Sequence, residues 1–220
     1  MKKLLLGAVM ASALLAPCVH AQVVTGYDIT NVRLSGFGGW NHTYSGTMTS
    51  VGGGLYNYTG GSGTLNDVAF ASNNNNNNLF QLGDNSVITL FLNGVYSLSN
   101  LNLYGGAAPG NTIPGTLTGA TIGFGAASAN ITSTTFSASG TCNSGPCDDA
   151  FSFASTVLAG ETGSQITISN VQGGRGGFDS IAEVNAQGVL ATPEPASFAL
   201  LATGLGVIAG VRRRNRKAAA

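Results

Sequence analysis

Trp40, His42 and Tyr44 stand at alternate positions, and Tyr56 and Tyr58 repeat the spacing. On a β-strand, side chains two apart project from one face, so the first three would form a row with an imidazole between two rings. Aromatic faces beside polar groups are suited to packing on the C–H faces of sugars, which makes the row a candidate ligand-binding surface. The competing reading is that one face of such a strand is buried and these rings are core. Arg175, set in Gly173-Gly174-Arg175-Gly176-Gly177, is a second candidate. Glycines let a loop approach a ligand closely, although a lone loop arginine is ordinarily just solvated.

Catalytic chemistry finds little to work with. His42 is the only histidine after His20, and no nucleophile motif accompanies it. Neither HExxH nor a phosphate-binding glycine loop ending in Lys-Ser/Thr occurs. Asp148 and Asp149 are adjacent, so on a strand they face opposite ways and do not form an acid/base pair. The expectation is therefore a protein without catalytic residues, not an enzyme. The alternative is a secreted carbohydrate-active enzyme whose acids are unrecognised. Cys142 and Cys147 are separated by Asn-Ser-Gly-Pro, a turn sequence, and a local disulfide is expected there. A lone CxxxxC pair makes a poor zinc site. Six consecutive asparagines, Asn73 to Asn78, form a polar loop. With Asp67 nearby they offer oxygen ligands for Ca²⁺, but no ligand spacing supports that site, and no cofactor is expected.

The two ends of the chain carry addresses. Met1-Lys2-Lys3, the apolar stretch from Leu4 to Ala16 and the small residues of Val19-His20-Ala21 make residues 1–21 a secretory signal peptide for the Sec export machinery, cut before Gln22. Cys18 invites a lipoprotein reading, but Pro17 stands where a small residue is needed. Between Gln22 and Thr192 only Arg33 and Arg175 are basic, against eight acids, a net charge of −6. No basic patch is available for phosphate backbones, which excludes nucleic acid as a partner. At the other end, Pro193-Glu194-Pro195 precedes an apolar run of 14 residues, Phe198 to Val211, and then Arg212-Arg213-Arg214. Such a run is about 21 Å long as a helix, against a hydrocarbon core of ~30 Å. The arginines would hold its end in the cytoplasm.

That order of Pro-Glu-Pro, short hydrophobic helix and arginine cluster resembles the PEP-CTERM sorting signal. The resemblance implies an exosortase as partner, transient anchoring in the inner membrane with the body facing the periplasm, and delivery to the cell surface or extracellular matrix. Residues 191–220 are assigned to this signal.

Residues 22–190 remain as a single domain, and their period is two. Val87 to Leu92 is an apolar run of strand length, followed by the turn dipeptide Asn93-Gly94. Val95 to Leu98, Asn100 to Tyr104, Ala120 to Phe124, Ile131 to Phe136, Phe151 to Phe153, Gln165 to Ile168 and Ile181 to Val184 read as further strands. Many short strands with turns between them predict an all-β sandwich or barrel, flanked by the two terminal hydrophobic helices. Leu65-Asn66-Asp67, Ser86 to Leu92 and Gly94 to Tyr104 are similar to the discoidin pattern, as are Gln165 to Val171, Gly176-Gly177-Phe178 and Ser180 to Val184. That family is a galactose-binding-like jelly roll. Val68 departs from it where glycine is usual, and its bracketing cysteines are missing. The expected function is an exported, non-enzymatic protein of the surface or biofilm matrix with weak affinity for exopolysaccharide.

Overall fold

Alternating apolar and polar residues, broken repeatedly by Gly and Asn, suit strands that bury one face. The computed structural model describes residues 19–20, 23–33, 42–67, 80–83, 85–105, 117–132, 137–138, 147–173, 180–191 and 203–205. Among them the chain forms β1 (Val19–His20), β2 (Val24–Arg33), β3 (Thr47–Gly52), β4 (Leu55–Gly61), β5 (Phe80–Leu82) and β6 (Ile88–Gly105). Then come β7 (Leu117–Phe124), β8 (Ala127–Thr132), β9 (Ser137–Ala138), β10 (Cys147–Ser152), β11 (Thr162–Gly173), β12 (Ser180–Ile181) and β13 (Glu183–Leu190). Short 3-10 turns at Thr64–Asn66 and Phe153–Ser155 interrupt the strands. The described pairings between strands are all antiparallel.

One strand organises the sandwich. The first part of β6, Ile88 to Leu92, lies between β2 and β11. Its second part pairs with β13 from Tyr96 to Tyr104, with β11 at Tyr96 and Ser97, and with β10 from Asn100 to Gly105. β6 thereby joins the described strands in one continuous antiparallel sheet around one core. That core runs from Tyr27 and Ile29 on β2 through Leu90 and Leu101 on β6 to Val184 on β13.

The Asn93-Gly94 turn does not form. β6 continues through it, burying Ile88, Leu90, Leu92, Tyr96 and Leu98 on one parity. A two-residue hairpin of the Asn-Gly kind needs positive φ at both residues, and neither has it. Gly94 packs under the end of the Leu190 side chain, whose Cδ2 would lie 2.9 Å from a Cβ placed there. The Tyr96 hydroxyl donates to Asn93 Oδ1 at 2.5 Å, tying the dipeptide into the strand. Parity flips only later, from Leu98 to Leu101, where the register with β13 shifts between Gln187 and Gly188. Two smaller differences follow the same logic. Phe153 leaves the expected strand to open a 3-10 turn, and Ala182 separates β12 from β13.

At the termini, β1 pairs with Val189 and Gly188 of β13, and residues 203–205 are helical. The remainder of both expected terminal helices lies outside the described residues. Among the described residues, no helix is long and apolar enough to cross a membrane.

Candidate functional site

Ile88, at the start of β6, pairs with Ile29 of β2 on one side and Ile168 of β11 on the other. Two residues beyond each partner stands an asparagine in the left-handed region, Asn31 at φ 56° and Asn170 at φ 49°. At both places the register slips, between Ile29 and Val32 on β2 and between Ser169 and Gln172 on β11. These are paired β-bulges, which bend a strand and re-aim its side chains. Asparagine is among the few non-glycine residues that tolerate this conformation. The third non-glycine example, Asn85 at φ 58°, lies in the turn entering β6 between them.

Hydrogen bonds pin this turn to the first bulge. Gly83 N–H donates to the Asn31 carbonyl at 2.7 Å, and the Ser86 hydroxyl lies 3.0 Å from the same oxygen. Thr30 N–H donates to the Val87 carbonyl, and Val87 N–H donates back to Thr30 Oγ1, both at 3.0 Å. Asn57 Oδ1 accepts from Asn31 N–H at 3.1 Å, bracing the bulge from β4.

Between the turn, the second bulge and the β7–β8 hairpin lies a groove of about 610 Å³. Its walls are Leu82, Gly83, Asn85 and Ser86, then Ala120 and Thr121, Asn130 to Thr132, and Asn170 to Gln172. None of these side chains is charged. Asn170 Nδ2 donates to Thr121 Oγ1 at 3.2 Å, and Thr121 Oγ1 donates to Asn130 Oδ1 at 2.8 Å. In this relay Asn130 keeps its NH₂ as donor and Asn170 keeps its carbonyl oxygen as acceptor. A mixture of donors and acceptors, with no charge among the described lining residues, suits a neutral polyhydroxylated ligand.

The aromatic row has a different fate. Tyr44 makes a single bridge to Gly63, and His42 lies outside any strand. The His42 ring stacks on Phe80 with centroids 4.2 Å apart, and its Nε2 shares a 2.6 Å hydrogen bond with the Tyr58 hydroxyl. Tyr58 meets Phe80 edge-on, as does Tyr27. The Tyr44 hydroxyl donates to the Tyr27 carbonyl at 2.9 Å and accepts from Gly61 N–H at 2.8 Å. Burial pushes the Tyr58 phenol up to about 12 and raises Tyr44 and Tyr27 as well. These phenols stay neutral and serve as fixed hydrogen-bond groups. His42 and Tyr44 thus pack into an aromatic cluster against the core; Trp40 lies outside the described residues.

So do Arg175, Asn73 to Asn78, Cys142 and Pro193-Glu194-Pro195. Cys147 opens β10 at Gly105 of β6, and Asp148 and Asp149 follow as consecutive strand positions. Among the described residues no cluster of three or more His, Cys, Asp or Glu side chains is placed to hold a metal. The groove escaped the sequence reading, yet a signal for it exists. Asp28-Ile29-Thr30-Asn31-Val32 and Thr167-Ile168-Ser169-Asn170-Val171 share Ile-Thr/Ser-Asn-Val, once for each bulge.

No curated protein matches the chain in sequence. Among solved structures, a family 32 CBM from C. perfringens NanJ, determined with galactose, aligns with 72% of this chain and 98% of its own, at 19% identity and a TM-score of 0.37. A second CBM32 module from Clostridium perfringens, determined with GalNAc-β-1,3-galactose, aligns with 66% of this chain and 93% of its own, at 17% identity and 0.37. The family model for the PEP-CTERM protein-sorting motif matches residues 191–217, beginning where β13 has just ended at Leu190. The segment that follows the all-β body is the PEP-CTERM sorting signal of an exported, exosortase-sorted protein.

Proposed function

We propose that this is a non-enzymatic carbohydrate-binding protein of the cell surface or biofilm matrix, and that the groove beside the Asn170 bulge holds a neutral glycan. The observation that carries the reading is the uncharged, hydrogen-bond-oriented wall of Thr121, Asn130 and Asn170. A domain of net charge −6 repels acidic polysaccharides at low salt, which favours a neutral exopolysaccharide. The described groove wall has no titratable side chain to transfer a proton, which supports binding over hydrolysis. Single-site affinity is modest, and display in many copies adds avidity. Arg175, three residues past groove-lining Gln172 in the sequence, is a further candidate contact, and Trp40 belongs to the separate candidate row with His42 and Tyr44.

The route is Sec export, a transient inner-membrane stage facing the periplasm, and release by the exosortase near Pro193-Glu194-Pro195. Deleting residues 193–220 sends the domain out without a membrane stage; identical fractionation of full-length and truncated chains contradicts this route. Cys142 and Cys147 form a disulfide during export, and two reactive thiols in the exported protein contradict that pairing. The function itself is tested by presenting exported protein to a glycan array and scoring both retention and hydrolysis. Retention of neutral glycans without cleavage is expected; cleavage makes the protein an enzyme, and no retention leaves a purely structural matrix protein.

A further inference from the structure

We propose that Asn57 of β4 is a positioning residue of the groove, tuning glycan affinity through the Asn31 bulge without touching the glycan; this role rests on the carbohydrate reading. Asn57 does not line the groove. It stands on β4 between Tyr58, which pairs with Ile29, and Tyr56, which pairs with Val32. That places it across from the slip on β2, where a bulge leaves a residue outside the regular ladder. Its Oδ1 accepts from Asn31 N–H at 3.1 Å, standing in for the missing ladder partner.

The bulge so held is the seat of one groove wall. The Asn31 carbonyl accepts from Gly83 N–H at 2.7 Å, with the Ser86 hydroxyl 3.0 Å away. Ser86 is tied back to Gly83, its N–H and hydroxyl lying 3.3 and 2.8 Å from the Gly83 carbonyl. Gly83, Asn85 and Ser86 all line the groove, and Asn85 is exposed there with φ at 58°. Hydrogen bonds therefore lead from Asn57 through Asn31 to the turn that presents Asn85.

The contact between bulge and turn leaves little slack. A Cβ on Gly83 would lie 2.5 Å from the Asn31 carbonyl oxygen and 2.9 Å from Cδ2 of Leu55, a second β4 side chain. Close-packed neighbours transmit small shifts, so a bulge without its Asn57 brace carries the turn, and Asn85 with it, out of place. Binding groups must be held to within about 0.5 Å by the residues behind them. The two Ile-Thr/Ser-Asn-Val bulges thus divide the work. The one on β11 borders the groove directly through Asn170 and Val171, and the one on β2 supports the wall that carries Asn85.

Calorimetric titration with the best neutral glycan from the array, joined to amide hydrogen exchange, tests it on the exported protein. Asn57→Ala is expected to weaken binding by about three- to tenfold, as when one ligand hydrogen bond is lost. Asn57→Asp keeps an acceptor oxygen for Asn31 N–H and should restore the affinity. In an Asn85→Gly background Asn57→Ala should have no further effect beyond about twofold, because both act through one wall. Exchange at the Gly83 amide should rise by at least about tenfold in Asn57→Ala while the amides of β11 keep their protection. A merely structural role would raise exchange in β11 too, and that result overturns the proposal. So does a wild type that binds glycan no better than Asn57→Ala, or a failure of Asn57→Asp to restore binding. A wild type that binds no glycan overturns the carbohydrate reading itself, and this role with it.

Discussion

The aromatic cluster around Phe80 and the groove beside Asn170 both gather groups that hydrogen-bond well, and they use them in opposite ways. In the cluster, Tyr44 satisfies a backbone carbonyl and a backbone N–H, and Tyr58 closes on His42. That capacity is directed inward. In the groove, Asn170, Thr121 and Asn130 bond one another in a line, and each amide uses only one end in that line. Residue type nominates both regions equally; what separates them is where the hydrogen-bonding capacity goes.

The comparison breaks most visibly at the core side. Phe80→Ala removes the ring against which His42, Tyr27 and Tyr58 all pack. It should cost about 3–5 kcal/mol of stability by chemical denaturation; a loss below 1 kcal/mol would show that the cluster is not core. Alkali should act next. The Tyr58 phenol titrates near 12 in the fold and near 10 when unfolded. Its contribution is complete below about pH 10 and declines as pH rises toward about 12, by on the order of 2 kcal/mol. Tyr58→Phe should flatten that part of the stability profile, and an unchanged profile would contradict the assignment.

Smaller effects are expected at the bulge. Asn170→Ala places a Cβ-bearing residue without asparagine's local hydrogen bonding at positive φ, costing about 1 kcal/mol. Asn170→Gly relieves that strain and should be close to wild type in stability. If Ala and Gly prove equally stable, the left-handed backbone is not what holds the bulge.

The strands were largely legible because burial imposes period two: Ile88, Leu90 and Leu92 announce β6, and Ile166 and Ile168 announce β11. Asn93-Gly94 misled because a dipeptide's local preference was overridden by backbone hydrogen bonds to either side of it, from Asn93 N–H to the Val23 carbonyl and from Ala191 N–H to the Val95 carbonyl. His42 and Tyr44 were nominated by spacing, but spacing does not say which side of a segment meets the core. The groove was hidden for a different reason. Its residues come from Asn85, Thr121, Asn130 and Asn170, which only strand pairing brings together. The two Ile-Thr/Ser-Asn-Val stretches mark the bulges, yet nothing local says that both flank Ile88.

Calorimetric titration with the best neutral glycan from the array tests the central claim most directly, comparing exported wild type, Asn170→Gly and Tyr44→Phe. Asn170→Gly keeps the bulge and removes only the amide, so affinity should fall by about three- to tenfold, the net worth of one hydrogen bond. Tyr44→Phe, altered only in the inward-facing cluster, should bind as wild type does. Full affinity in Asn170→Gly, together with a loss in Tyr44→Phe, would contradict the account and return the ligand to the aromatic row.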